Sequence, residues 1–140
     1  MQMPVKTLLA FDYGTKKIGL AVGQNISCTA TPLGTVKVTK GQGYWLQIDR
    51  IIQEWQPNNL LIGWPVNMDG SDSEILEKTQ LFIKELQIRY SINCIKVDER
   101  LTSIIAKQTI KERGVTQFDV DSMAAQIILQ AWLYEVERLS

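Results

Sequence analysis

The sequence predicts an α/β fold in which a five-stranded mixed sheet is flanked by helices. Short apolar segments indicate buried strands, and segments with apolar residues three and four positions apart indicate amphipathic helices. The strands come first in the chain, and strands and helices then alternate. Because strands joined by tight turns pair antiparallel and strands joined through a helix pair parallel, this order predicts a mixed sheet.

The first three predicted elements are strands joined by short connections. Thr7–Tyr13 is a mostly apolar segment, and Lys17–Val22 follows after three residues, so we expect these two strands to form a hairpin. A third strand is expected near Leu33–Val38, after Pro32.

The remaining elements alternate between helices and strands. The first helix has apolar residues on one face, at Trp45, Ile48, Ile52 and Trp55, and Pro57 ends it. The predicted elements are a helix at about Tyr44–Gln56, a strand at Asn59–Gly63, a helix after Ser71, a strand at Asn93–Val97, a helix from Thr102 to near Gly114 and a helix at about Asp121–Leu139. The order β-β-β-α-β-α-β-α-α is that of an RNase H-like fold.

Length and cysteine content favour one cytoplasmic domain. The 140 residues suffice for a single domain, residues 1–140, with its own core. Cys28 and Cys94 lack the spacing of a metal site, so we expect reduced, buried thiols. No apolar run approaches the roughly 20 residues of a membrane span. The apolar run near the N-terminus is too short for a signal peptide.

The charged residues limit the chemistry that the chain can perform. It contains no histidine, which excludes a Ser-His-Asp mechanism, a histidine base and a histidine-ligated zinc. The net charge is zero, with 15 basic and 15 acidic residues, so any binding to nucleic acid must come from local basic patches.

Three acidic positions are candidates for a catalytic site. Asp12 lies inside an apolar strand, where an ionised carboxylate is unfavourable unless something compensates it, although it could instead cap the following turn. Glu99 belongs to the charged triplet after the fifth strand, which could equally be a solvated loop. Asp121 precedes the last helix and could be its N-cap.

The three acidic residues point to a function only when they are considered together. In a sheet of this order, the ends of the first and fifth strands and the start of the last helix can converge on one edge. Carboxylates gathered there would repel one another unless a divalent cation joined them, and such oxygen ligands suit Mg²⁺ or Mn²⁺. The predicted chemistry is hydrolysis of a phosphodiester bond, which needs no histidine.

Basic and glycine-rich segments lie beside the candidate acids. Lys16 lies shortly after Asp12 and could contact substrate or be an ordinary surface charge. Arg100 follows Glu99, and its guanidinium matches the geometry of a phosphate. The loop at 63–70, which contains Asn67, could bring backbone N–H groups to a phosphate or be a plain turn. Trp64 is the tryptophan considered for base stacking, because the other three lie on predicted inner helix faces.

With these residues in place, the chain closely resembles the YqgF family, which is described as pre-16S rRNA nucleases and as Holliday-junction-resolvase-like. The resemblance covers essentially the whole chain and rests on four motifs in the family's order. The motifs are LLAFDYGTKKIGLAVGQ at Leu8–Gln24, LLIGWPVNMDGSDSE at Leu60–Glu74, VDERLTS at Val97–Ser103 and VDSMAAQIIL at Val120–Leu129.

The resemblance implies an RNase H-like fold and a Mg²⁺- or Mn²⁺-dependent nuclease that matures the 5′ end of 16S rRNA in the cytoplasm. It implies an acidic, metal-binding site of Asp12, Glu99 and Asp121, with Asp98 as a less certain fourth member. Substrate contacts would come from Lys16, Arg100 and Asn67 of the glycine loop. One departure from the family is visible: the segment 114–119, GVTQFD, is short and has no basic residue. This departure puts the affinity for substrate in doubt.

Other functions remain open at this point. The same chemistry could act on branched DNA, although the neutral charge and small size argue against the binding of a four-way junction unless the chain dimerises. We expect a monomer or a weak homodimer. A non-catalytic RNA-binding factor in ribosome assembly is a third interpretation, favoured by the missing basic segment. An actin-like phosphotransferase is disfavoured because 140 residues leave no second lobe to close over ATP.

Overall fold

A computed structural model describes residues 6–27, 29–39, 43–65, 73–98 and 120–139, with the backbone alone at 73, 120–122 and 135–139. Five strands and three helices lie in these ranges. They are β1 (Thr7–Tyr13), β2 (Lys17–Gln24), β3 (Thr29–Lys37), α1 (Gly43–Trp55), β4 (Asn59–Trp64), α2 (Ser73–Tyr90), β5 (Asn93–Asp98) and α3 (Val120–Leu139).

The five strands form one mixed sheet with β1 at its centre. The strand order is β3-β2-β1-β4-β5. β2 pairs antiparallel with both β1 and β3, whereas β4 pairs parallel with both β1 and β5. The carboxyl ends of β1, β4 and β5 therefore lie at the same edge of the sheet.

Helices cover both faces of the sheet, and alternation along β1 separates the two cores. Leu9 and Phe11 belong to the larger core, which includes buried side chains of α1 and α2. Leu8 and Ala10 belong to the core on the other face, which α3 covers. All four residues are at most 1% exposed, so β1 is apolar on both faces because both are covered.

The contact between α3 and the sheet is close and includes a buried hydrogen bond. The amide Nε2 of Gln126 donates to the carbonyl oxygen of Ala30 over 2.9 Å, which satisfies a polar group inside this core. At Gly23, a Cβ atom would lie 2.4 Å from the carbonyl oxygen of Thr29 and 3.0 Å from the Cδ2 atom of Leu129. Glycine is therefore required where the helix crosses β2.

The predicted fold class is confirmed, with two local differences. β3 begins at Thr29 instead of Leu33, because an edge strand tolerates Pro32 and a register shift opposite Leu20 and Ala21. Trp55 was expected in the core but is 39% exposed, since α1 ends there and the chain turns at Gln56 with φ of 45°. The helix predicted from Thr102 to Gly114 and the cap at Ser71 lie outside the described residues.

The remaining expectations concern thiols and membranes. Cys94 is a free, half-buried thiol, and burial raises its pKa to about 11, so it is an unreactive thiol at neutral pH. Cys28 lies outside the described residues. None of the described helices combines the length and apolar character needed to cross a bilayer.

A hydrogen bond joins the two helices on the larger core. The hydroxyl of Tyr90, the last residue of α2, donates to the Oδ1 atom of Asp49 in α1. Burial first, and then this hydrogen bond, raise the pKa of Tyr90 above its ordinary value. A raised tyrosine pKa means that the stabilisation is fully present below about pH 10 and is lost as the pH rises further.

We predict that Tyr90→Phe lowers the free energy of unfolding by about 1–2 kcal/mol at neutral pH, because the Asp49 carboxylate loses its donor. Urea denaturation measures this change. Tyr134→Phe is the matched control, since Tyr134 is 53% exposed on α3 and removal of its hydroxyl should leave the midpoint unchanged. Equal midpoints for the two variants would contradict the assigned role of the hydrogen bond.

Candidate active site

Asp12 lies one residue before the carboxyl end of the central strand. It is half-buried and follows the fully buried segment Leu8–Phe11. Because side chains alternate along a strand, Asp12 lies on the face of Leu8 and Ala10, which α3 covers. Its neighbour Tyr13 lies on the opposite face and packs against the core of α1 and α2.

The strand neighbours of Asp12 on both sides are glycines. Asp12 pairs with Gly19 of β2. On the other side Phe11 pairs with Ile62 of β4, so the next positions in the same register are Asp12 and Gly63. Glycine inside a strand weakens it, and it often marks a place where a ligand approaches the backbone. The sequence analysis missed Gly19, although a glycine inside the apolar segment KIGLAV was the available signal.

Asp98 lies at the same edge but on the other face of the sheet. Val97 packs with Leu8 and Ala10 in the core under α3, whereas Cys94 packs in the core of α1 and α2. Alternation therefore places Asp98 on the α1/α2 face, at a position paired with Trp64. Asp12 and Asp98 do not share a face, which argues against Asp98 as a partner of Asp12.

The other predicted site residues are described incompletely. Asp121 lies in the first turn of α3, where only its backbone is described, one helical turn before the buried Ala125. Glu99, Arg100 and Asn67 lie outside the described residues. Among the residues whose side chains are described, no three acidic, cysteine or histidine groups lie close enough to hold a metal ion. Asp12 contributes hard carboxylate oxygens, and such donors fit Mg²⁺ or Mn²⁺.

Lysines lie beside Asp12 at this edge. Lys16, in the turn between β1 and β2, is exposed. Lys17 pairs directly with Lys37 of β3, and both side chains are exposed. Their neighbours Ile18 and Val36 belong to the core of α1 and α2, so the lysine pair lies on the face of Asp12.

The lysine pair has an unfavourable arrangement for stability. Like charges directly opposite each other on adjacent strands are destabilising, and an anion between them would relieve the repulsion. Lys37 was not predicted as a site residue, because only the register of β2 with β3 places it at the same edge and on the same face as Asp12.

Trp64, which was considered for base stacking, contributes to packing. Its ring is half-buried against the core of α1 and α2. The ammonium group of Lys96 lies 4.1 Å from the ring centroid, so a cation covers one face of the ring. This arrangement leaves Trp64 less available to a base than its position in the glycine loop suggested.

The chain is similar to a known protein family and to named proteins over most of its length. The profile of the family described as "RuvX: Holliday junction resolvase" matches residues 6–135. A protein of Saccharophagus degradans named "Putative pre-16S rRNA nuclease" is 41% identical over 134 residues, which are 93% of this chain and 94% of the relative. A relative with the same name from Actinobacillus pleuropneumoniae serotype 5b is 43% identical over 131 residues, 91% of this chain and 96% of the relative.

Solved structures share the fold at low sequence identity. RuvC of Thermus thermophilus, solved in complex with a Holliday junction substrate, is 11% identical with a TM-score of 0.64, covering 94% of this chain and 96% of that chain. The fowlpox virus Holliday junction resolvase is 13% identical with a TM-score of 0.55, covering 92% and 99%. At these identities the likeness shows the RNase H-like fold.

We predict that Gly19→Ala weakens the binding of Mn²⁺ by about tenfold or more, because its methyl group would lie beside the Asp12 carboxylate. Isothermal titration calorimetry measures the affinity. Gly43→Ala is the control, since a Cβ there meets no atom closer than the Oγ1 atom of Thr39 at 3.7 Å. Unchanged Mn²⁺ affinity in a folded Gly19→Ala protein would contradict a metal site at Asp12.

Proposed function

We propose that this chain, which belongs to the RuvX family of Holliday junction resolvases, is a metal-dependent nuclease. Its proposed substrate is precursor 16S rRNA. The observation that carries the proposal is Asp12, a half-buried carboxylate between two glycines at the end of the central strand. The names of relatives about 40% identical over nine-tenths of the chain support the RNA substrate.

In the proposed site, Asp12, Glu99 and Asp121 hold Mg²⁺ or Mn²⁺. The bound metal would activate water and stabilise the leaving oxygen of a phosphodiester. Two features support this set of ligands over one containing Asp98. Alternation along β5 puts Asp98 on the face away from Asp12, and Asp121 lies one turn before Ala125, which packs with Leu8 and Ala10.

The lysines would bind the substrate backbone. Lys17 and Lys37 lie opposite each other on the face of Asp12, so a phosphate there would gain two cationic contacts and reduce their mutual repulsion. Lys16 in the adjoining turn, Arg100 and Asn67 are the further contacts that we propose. This local patch would supply the positive charge that the neutral chain lacks overall.

Branched DNA is the second candidate substrate, and the family description and the Thermus structure with a Holliday junction favour it. The same acidic site would serve either substrate. The higher identity of the relatives named for pre-16S rRNA leads us to rank the RNA first.

We predict that Asp12→Asn lowers the rate of Mn²⁺-dependent cleavage of precursor 16S rRNA by roughly a hundredfold or more, because a ligand carboxylate is removed. Asp98→Asn is the matched control and should cleave within about threefold of wild type, because its side chain lies on the other face. Cleavage rates of a radiolabelled 5′ leader RNA and of a synthetic four-way junction are measured side by side.

The pattern of rates distinguishes the hypotheses. Wild-type activity in Asp12→Asn would overturn the mechanism, and faster cleavage of the junction than of the RNA would replace the first substrate by the second. No cleavage with any divalent ion, together with RNA binding that survives EDTA, would favour a non-catalytic assembly factor.

We predict that Lys37→Gln weakens binding of single-stranded RNA and lowers the slope of log affinity against log salt by about 0.7. The variant should not be less stable than wild type, because the substitution removes a like-charge pair. Fluorescence anisotropy between low and moderate salt measures the slope. Lys84→Gln, at an exposed position on α2, should keep the wild-type slope, and equal slopes in all three proteins would exclude Lys37 from the interface.

A further inference from the structure

We infer that a cleft on the α1/α2 face binds one unpaired base of the nucleic-acid strand whose phosphate lies at Asp12. The inference rests on the proposed function. The cleft has a volume of about 260 Å³, and its lining includes Tyr13, Tyr44, Trp45, Lys78, Phe82 and Glu85. Asp12, the acid of the proposed metal site whose side chain the structure describes, does not line it.

Aromatic rings form the wall of the cleft. The ring of Phe82 stacks on Tyr13, with centroids 4.8 Å apart, and on Trp45, with centroids 5.5 Å apart. The guanidinium of Arg89 lies 4.5 Å from the ring centroid of Trp45. Tyr44 packs against Trp45, with centroids 5.3 Å apart, so all four rings have an aromatic neighbour. Tyr13 and Tyr44 are only half-buried, so we expect the parts of these two rings that face the cleft to offer surface to a flat aromatic ligand.

Polar groups around the cleft suit a nucleotide. The ammonium of Lys78 is 3.1 Å from a carboxylate oxygen of Glu74, and both side chains are substantially exposed. Such a surface ion pair is weak, so Lys78 can exchange its partner for a phosphate. The carboxylate of Glu85, which accepts a hydrogen bond from the Nε atom of Arg89 over 2.9 Å, and the two phenol hydroxyls can form hydrogen bonds with the edge of a base.

The position of the cleft connects it to the site. Tyr13 directly follows Asp12, and the two side chains lie on opposite faces at the end of the same central strand. In the arrangement that we infer, a strand with one phosphate at Asp12 passes the end of β1 and places a neighbouring nucleotide at the cleft, which Tyr13 lines. A base in a duplex is stacked between its neighbours, so the cleft would select an unpaired one.

Fluorine NMR of the full chain labelled with 5-fluorotryptophan tests the inference without relying on cleavage. The Trp55→Phe, Trp64→Phe and Trp132→Phe variants assign three of the four signals, and the fourth belongs to Trp45. The probes are a single-stranded adenosine hexaribonucleotide, an abasic hexamer of equal charge and adenosine monophosphate, all without divalent metal so that no strand is cut.

We predict that the hexaribonucleotide shifts the Trp45 signal saturably and that the abasic hexamer does not. Tyr44→Leu should weaken the affinity by about fivefold or more, because a stacking ring is removed. Tyr44→Phe keeps the ring and loses only the hydroxyl, so it should bind more tightly than Tyr44→Leu. Tighter binding of the hexamer than of the monophosphate would support a nucleic-acid strand as the ligand. The reverse order would overturn this assignment in favour of a free nucleotide.

Two results would overturn the cleft. One is an equal shift with the abasic hexamer, and the other is wild-type affinity in Tyr44→Leu. The abasic comparison uses the unaltered protein, so it stands even where Tyr44→Leu fails to fold. If no base binds in the cleft but cleavage still depends on Asp12, the proposed nuclease function stands and only the cleft is rejected. If a base binds but no strand is cleaved, the cleft is an RNA-binding site and the nuclease function is rejected.

Discussion

The fold depends on the pairing of β1 along both of its sides. A buried strand must satisfy its backbone N–H and C=O groups, and β1 pairs with β2 over Thr7–Tyr13 and with β4 over Leu8–Phe11. Its apolar segment Leu8–Phe11 can be buried on both faces only because α1 and α2 cover one face and α3 covers the other. Sheet order, helix placement and the position of Asp12 all follow from this central strand.

The end of β1 combines several features that are unfavourable for the stability of a strand. Asp12 places a carboxylate at a half-buried position where an apolar side chain would be more stable. Its neighbours Gly19 and Gly63 lack side chains that could pack there. The lysine pair of β2 and β3 adds like-charge repulsion beside them. Each feature is unfavourable for an isolated sheet. In the proposed site, a cation would compensate the charge of Asp12, and a phosphate would reduce the repulsion between the lysines.

The elements that depend on local sequence patterns were predicted correctly from the sequence. Apolar period and turn residues were enough for the hairpin at Tyr13 and Lys17, and the buried positions of α1 at Trp45, Ile48 and Ile52 followed from helical spacing. Register was not predictable, because it depends on pairing between distant strands. For that reason the sequence did not reveal Lys37, and it could not tell on which face Asp98 lies.

The pairing of β1 also has a consequence for synthesis of the chain. Its contact with β2 spans a short hairpin, whereas the side-chain oxygen of Asn58 accepts a hydrogen bond from Thr7 across 51 residues, and β5 pairs later still. During translation, the hairpin containing Asp12 can form as soon as it leaves the ribosome. The edge of three parallel strands cannot exist until residue 98 has emerged. A nascent chain therefore carries Asp12 on an unfinished sheet before Glu99 and Asp121, the other proposed metal ligands, have been added to it.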